Sequence, residues 1–178
     1  MRKVVSYELL SLDGVAETPT DFITEWDDEV EAHLGGVIAD QDAVLLGRRT
    51  WDEWAGFWPT SDIEPFASFI NGVQKFVVTS TPLTAEWDPT TLVESDLATF
   101  VQDLKRQPGK DIGVHGSIAL TQTLLEESLI DELRLVIFPA LQIRGRRLFE
   151  KAAQTRLTLS RSTTSPTGFL LLDYQVVT

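Results

Sequence analysis

The 178-residue sequence predicts an α/β fold in one domain, 1–178: a largely parallel sheet with helices on both faces and a C-terminal β-hairpin. Three observations carry this. Short β-rich apolar runs alternate with segments of helical spacing as far as Pro139, the pattern of parallel strands joined by crossover helices. Three of those runs end in turns suited to phosphate or hydroxyl groups: Gly47 with Arg48, Arg49 and Thr50; Thr79-Ser80-Thr81; and Gly116-Ser117. In such sheets the ligand crevice lies at the carboxyl ends of the strands, where all three fall. The last 24 residues read as two alternating runs joined by Pro166-Thr167-Gly168, a hairpin.

Taken in order, residues 2–12 form a first strand, with Glu8 in its middle either on an exposed edge or in a polar cavity. Ser11-Leu12-Asp13-Gly14 ends it. Residues 15–25 form a loop, a lid over a site or a plain connector. A helix spans 27–39, its first turn rich in acids that suit the positive helix end. Gly35-Gly36 costs that helix roughly 1 kcal/mol per glycine, so it kinks, ends or meets a close neighbour there. A second strand covers 43–46, and a short helix follows Gly47 to about Trp54. Residues 64–71 suggest another short helix. A third strand covers 75–79, a short strand includes Leu92-Val93, and a helix begins at Asp96 and stops before Pro108-Gly109. Residues 111–115 form a strand, 119–127 a helix and 132–139 a strongly β-forming strand. The hairpin strands are 155–163 and 169–177.

The composition excludes several function classes. The net charge of −12 argues against a nucleic-acid-binding surface. No apolar run is long enough to span a bilayer, and the N-terminal segment lacks the apolar core of a signal peptide. There is no cysteine, so no disulfide or thiol chemistry, which is compatible with a cytoplasmic location. Two distant histidines, His33 and His115, predict no histidine-based metal site. Four of the 15 cations fall in two doublets, Arg48-Arg49 and Arg146-Arg147, so local anion sites are compatible with an acidic chain.

Five ordered motifs spread over nearly the whole chain resemble the dihydrofolate reductase-like superfamily: Ser11-Leu12-Asp13-Gly14, Leu46-Gly47-Arg48-Arg49-Thr50-Trp51, Thr79-Ser80-Thr81, His115-Gly116-Ser117, and Leu129-Ile130-Asp131-Glu132-Leu133 leading to Arg146-Arg147-Leu148-Phe149. The branch they resemble most is the reductase domain of the riboflavin-biosynthesis deaminase–reductase. The resemblance implies a mixed sheet of about eight strands and NADPH as hydride donor. It implies that Gly47, Arg48, Arg49 and Thr50 hold the cofactor's phosphates. Thr79, Ser80 and Thr81 would lie at its adenosine end, and Gly116, Ser117 and Ile118 would pack against the pyrophosphate. In dihydrofolate reductases a carboxylate on the first helix binds the pterin, five residues after a tryptophan and sixteen before the strand-two glycine. Trp26, Glu31 and Gly47 keep both spacings. Three departures stand out. His115 replaces the first of two glycines, Glu8 replaces a small or apolar residue, and the glycine-rich loop shrinks to Ile143-Arg144-Gly145.

The first functional expectation is an NADPH-dependent reductase of a small, flat, pterin- or pyrimidine-like substrate. Glu31 or Glu8 would act as the catalytic carboxylate. Trp26, Trp51 and Trp54, with Asp13, would form the substrate pocket. The alternatives are a non-catalytic ligand-binding or dimeric protein on the same scaffold, and a riboflavin-pathway reductase of a ribosylaminouracil phosphate, with Arg146 and Arg147 as a second anion site. No deaminase segment lies within these 178 residues. Relatives imply a homodimer, with the terminal hairpin as interface.

Overall fold

The computed structural model describes residues 1–152 and 154–177; Ala153 and Thr178, part of the single-domain expectation, lie outside the described residues. Eight strands form one sheet: β1 (Val4–Ser11), β2 (Gln41–Gly47), β3 (Gln74–Val78), β4 (Thr90–Val93), β5 (Asp111–His115), β6 (Glu132–Phe138), β7 (Arg156–Thr164) and β8 (Leu170–Val177). Among the described residues five α-helices connect them: α1 (Asp28–Ala39), α2 (Arg48–Ala55), α3 (Phe66–Gly72), α4 (Leu97–Arg106) and α5 (Ile118–Glu126). The strand order is β4-β3-β2-β5-β1-β6-β8-β7. β1 to β6 pair in parallel, and β8 pairs antiparallel with both β6 and β7.

Each element has a local cause. Asp27 caps α1, its carboxylate accepting from the Val30 N–H at 3.0 Å, and Asp96 caps α4 through Thr99 in the same way. Gly35-Gly36 does not interrupt α1. A Cβ at Gly35 would meet Pro65 Cγ at 4.0 Å, so the glycine pair lies where the approach to α3 begins. Alternation along the strands sorts apolar side chains into two cores. On one face Tyr7, Val44, Leu46, Val77, Val136 and Phe138 pack with Val30 and Leu34 of α1, Trp51 of α2 and Phe66 of α3. On the other, Val4, Leu45, Ile112, Val114, Leu133 and Leu135 pack under α4 and α5. Among the described residues, no helix is long and apolar enough to cross a membrane.

Candidate active site

The carboxyl ends of β1, β2, β3 and β5 open into one cavity of about 1120 Å³. Gly47, Arg48, Arg49 and Thr50 line it from the β2–α2 turn, and Gly116, Ser117 and Ile118 from the β5–α5 turn. The two turns are tied together: the Gly47 N–H donates to Ser117 Oγ at 3.0 Å. Neither helix carries a side-chain cap at its N-terminus, unlike α1 and α4. Two helix N-termini with open N–H groups therefore face one cavity beside two arginines, which is the donor set an oligophosphate needs. Gly116 has φ +63 and its Cβ position lies 3.4 Å from the Trp54 ring, so this turn suits glycine on both counts.

Arg48 is pinned. Its Nε donates to both Asp52 oxygens at 2.8 Å, and Nη1 to Thr81 Oγ1 at 2.6 Å and to the Pro82 carbonyl at 2.8 Å. Thr79, Ser80 and Thr81 do not line the cavity. Thr79 and Thr81 are bonded to each other, and Thr81 reaches the site through the guanidinium of Arg48.

The loop after β1 covers the cavity. Ala16, Glu17, Thr18, Pro19, Thr20 and Ile23 line it. Glu17 bonds Arg146 at 2.8 Å and approaches Arg49 at 3.4 Å, fastening the loop to both sides. Of the two open readings of residues 15–25, the geometry favours a cover.

Part of the cavity wall is aromatic. Trp26, Trp54, Phe57, Trp58 and Phe66 line it, with Tyr7, Leu34 and Glu31. Trp54, Trp58 and Phe66 meet edge to face with centroids 4.8–5.8 Å apart. Trp26, Glu31 and Gly47 are thus brought to one cavity.

Glu8 also lines the cavity and is only 1% exposed. Ser6 Oγ and Thr121 Oγ1 each donate to its Oε1 at 2.8 Å. Burial raises its pKa to about 7 against the opposing pull of these hydrogen bonds and of the Gly116 N–H. Of the two sequence readings for Glu8, the polar surroundings and not the exposed edge are what the structure shows.

His115 lines the cavity and is buried, its Nε2 2.8 Å from Gln41 Oε1. Burial lowers its pKa to about 3, so the ring is neutral. The pair explains Gly113 beneath it: a Cβ there would stand 2.2 Å from Gln41 Oε1 and 2.8 Å from His115 Nε2.

Two expected pocket residues are placed elsewhere. Trp51 is fully buried in the core beneath α2, while Trp54, one turn further on, lines the cavity. Asp13 does not line the cavity. Its carboxylate accepts from Ser11 Oγ at 2.7 Å and from the N–H groups of Gln142 and Ile143 at 2.9 and 3.0 Å. It joins two loops, and these donors hold its pKa down near 2. Arg147 turns to Asp13, donating to its carbonyl at 3.0 Å, while Arg146 lines the cavity, so the doublet is split. Tyr7, Glu17, Phe57 and Phe66 were not singled out from the sequence. A tyrosine beside Glu8 on the first strand was the one available signal. Among the described residues no cluster of His, Asp or Glu is arranged to hold a metal.

Comparisons with known proteins agree with this architecture. The Bacillus subtilis (strain 168) proteins YyaP and YwjB, both described as uncharacterized, are similar: YyaP is 23% identical, aligned over 97% of this chain and 94% of its own length, and YwjB is 27% identical over 89% of each. A putative riboflavin biosynthesis protein from Shewanella sp. PV-4 shares the fold with a TM-score of 0.81, 20% identity and 99% of both chains covered. A diaminohydroxyphosphoribosylaminopyrimidine deaminase/5-amino-6-(5-phosphoribosylamino)uracil reductase from Thermotoga maritima aligns with a TM-score of 0.72 at 16% identity, over 99% of this chain and 57% of its own. The profile of the RibD C-terminal domain matches residues 2–171, and with an eight-stranded reductase-like fold in place the chain belongs to the RibD C-terminal domain family.

Proposed function

We propose that the protein is an NADPH-dependent reductase of a small, flat, pterin- or pyrimidine-like heteroaromatic substrate. One observation carries this: a single cavity is lined by two uncapped helix N-termini with Arg48 and Arg49, by an aromatic wall, and by the buried carboxyl of Glu8. At about 1120 Å³ it exceeds the roughly 300–1,000 Å³ of common small-ligand pockets, leaving room for a dinucleotide and a substrate together.

The donor set fits the group. Gly47, Arg48, Arg49 and Thr50 would hold its phosphates, Gly116, Ser117 and Ile118 would flank the pyrophosphate, and Thr79–Thr81 would buttress the adenosine end through Arg48. When bound, the dihydronicotinamide supplies a hydride. The chain's own residues do the rest. Trp26, Trp54 and Trp58 stack against a flat ring, Glu31 orients it, and Glu8 exchanges a proton with it near neutral pH. The cleft is open, not plugged by His115 or a tryptophan, which favours an enzyme over a non-catalytic binder on this scaffold. We assign the protein to the cytoplasm and to a homodimer formed through the exposed outer strand β7.

NADPH fluorescence titration is the direct test. Saturable sub-millimolar binding, weakened about tenfold or more in Arg48→Ala, is expected; no saturation in the wild type would sink the reading. A substrate whose binding depends on its phosphate, lost in Arg146→Ala, would move the assignment to the riboflavin-pathway reaction.

A further inference from the structure

A polar row crosses the sheet on the face covered by α1. His115 on β5, Tyr7 on β1, Arg134 on β6, Asp173 on β8 and Arg161 on β7 are successive lateral partners. Partners in register share a face, so five side chains that are polar or titratable lie in one line. His33 comes down on this line from α1, its Nε2 2.8 Å from Asp173 Oδ1, and Arg134 Nη1 reaches Asp173 Oδ2 at 2.5 Å. At one end Tyr7 and His115 line the main cavity. At the other, a second cavity of about 220 Å³ is lined by His33, Gln41, Asp111, Arg134, Arg161 and Asp173.

Four buried polar atoms on or beside this row have no hydrogen-bond partner: Tyr7 Oη, His33 Nδ1, Gln41 Nε2 and Arg134 Nε. Buried polar groups are almost always paired, with protein or with ordered water. Three of the four are buried atoms of residues that line the small cavity, which is polar and many times larger than one water needs. An anion does not suit it, because Asp40, Asp111 and Asp173 outnumber Arg134 and Arg161 on its walls. Water does.

The two cavities share their dividing wall. Gln41 holds His115 through Oε1, while its other amide atom is one of the four unpaired groups. The Tyr7 ring lies between His33 and His115, with centroids 5.7 and 5.8 Å away, and the charge of Asp173 acts on its hydroxyl.

We propose that this row is a hydrated proton path from the small cavity beneath α1 to the floor of the main cavity, ending at the Tyr7 hydroxyl. Its use rests on the reductase reading. Reduction takes up one proton for each hydride, and a cleft filled by a dinucleotide and a flat substrate loses water at its mouth. Tyr7 Oη–H gives its proton to an acceptor in the main cavity as a water bridging to His33 Nδ1 gives one to Tyr7. The hydroxide left takes a proton from the next water of the small cavity, which takes one in turn from bulk solvent, so each O–H bond broken is matched by one formed and the net proton comes from solvent. Gln41 and Arg134 are positioning residues that hold the water.

The test needs no turnover. The chain has two tyrosines, so protein labelled with [13Cζ]tyrosine gives two signals, and Tyr7→Phe assigns them. In equal H2O and D2O a rapidly exchanging hydroxyl gives one averaged line and a slowly exchanging one gives two. Tyr7, though buried, is expected to give one line, and to keep it when NADP+ saturates the main cavity. Ala32→Trp, at the rim of the small cavity, and Gln41→Leu are expected to slow exchange at least tenfold and split the line. Two lines in the wild type, one line untouched by both variants, or splitting on NADP+ addition would each overturn the path. If NADP+ does not bind, the fluorescence titration fails and the cofactor reading falls. The comparison of wild type with the two variants still decides the path.

Discussion

Glu8 is a buried carboxyl in the wall of the cavity. Its pKa is raised from 4.5 to about 7 by burial, so the folded protein binds more protons than the unfolded chain between those values, and stability falls as pH rises through that window. The ionised form costs on the order of 3 kcal/mol relative to the protonated one. Glu8→Gln, melted from pH 4.5 to 8, is expected to lose that downward slope and to gain stability over wild type above pH 7. His115 works in the opposite sense. With its pKa lowered to about 3, it contributes stability that is present above pH 6.5 and lost as pH falls below it. Gly113→Ala is expected to cost about 1–3 kcal/mol, read from the denaturation midpoint, because the new Cβ displaces the Gln41–His115 hydrogen bond and leaves buried polar atoms unpaired. The place of Glu8 in a strand was legible in the sequence. Its pairing with Thr121, 113 positions away, was not.

At the scale of elements, capping divides the helices by task. α1 and α4 have aspartate caps while α2, α3 and α5 have no side-chain cap, and of these α2 and α5 begin at the two glycine turns that line the cavity. Asp27 also accepts from Thr167 in the hairpin turn. Asp27→Ala is expected to lower stability by about 1–2 kcal/mol in chemical denaturation, with the helix cap and that tie lost together. β3 carries a buried lysine. Lys75 Nζ donates to the Ile70 and Val73 carbonyls at 3.0 and 3.1 Å, closing the end of α3, and lies 4.6 Å above the Trp87 ring. Burial lowers its pKa from 10.5 to about 8, with the charge of Asp88 opposing the shift. The folded state therefore releases its proton first, and stability rises with pH between about 8 and 10.5. Lys75→Met is expected to flatten that rise, measured as Tm against pH. Helix periodicity made α4 legible. The path of α2 was legible too, but not which of its tryptophans meets the sheet.

At the scale of the molecule, the sheet order places β1 between β5 and β6, strands about 100 or more positions away in the sequence, and separates it from its sequence neighbour β2. That order gathers Gly47, Glu8 and Gly116 at one rim. If the cleft holds NADPH, saturating cofactor at 100 times its Kd is expected to stabilise the fold by about 2.7 kcal/mol, seen as a Tm shift that grows with ligand concentration. Sedimentation is expected to report twice the 19.9 kDa chain mass, with Leu159→Lys on β7 returning a monomer. Element types, their order, and three strand-end turns followed from the sequence alone, because periodicity, turn residues and caps act over a few neighbouring positions. Tertiary structure alone decided that Trp51 is core while Trp54 is wall, that Asp13 joins loops instead of lining the cavity, that Arg146 and Arg147 part company, and that Tyr7 lies between His33 and His115. Those outcomes depend on contacts between groups more than 100 positions apart, on burial, and on which face of a strand each side chain takes, and no local pattern encodes them.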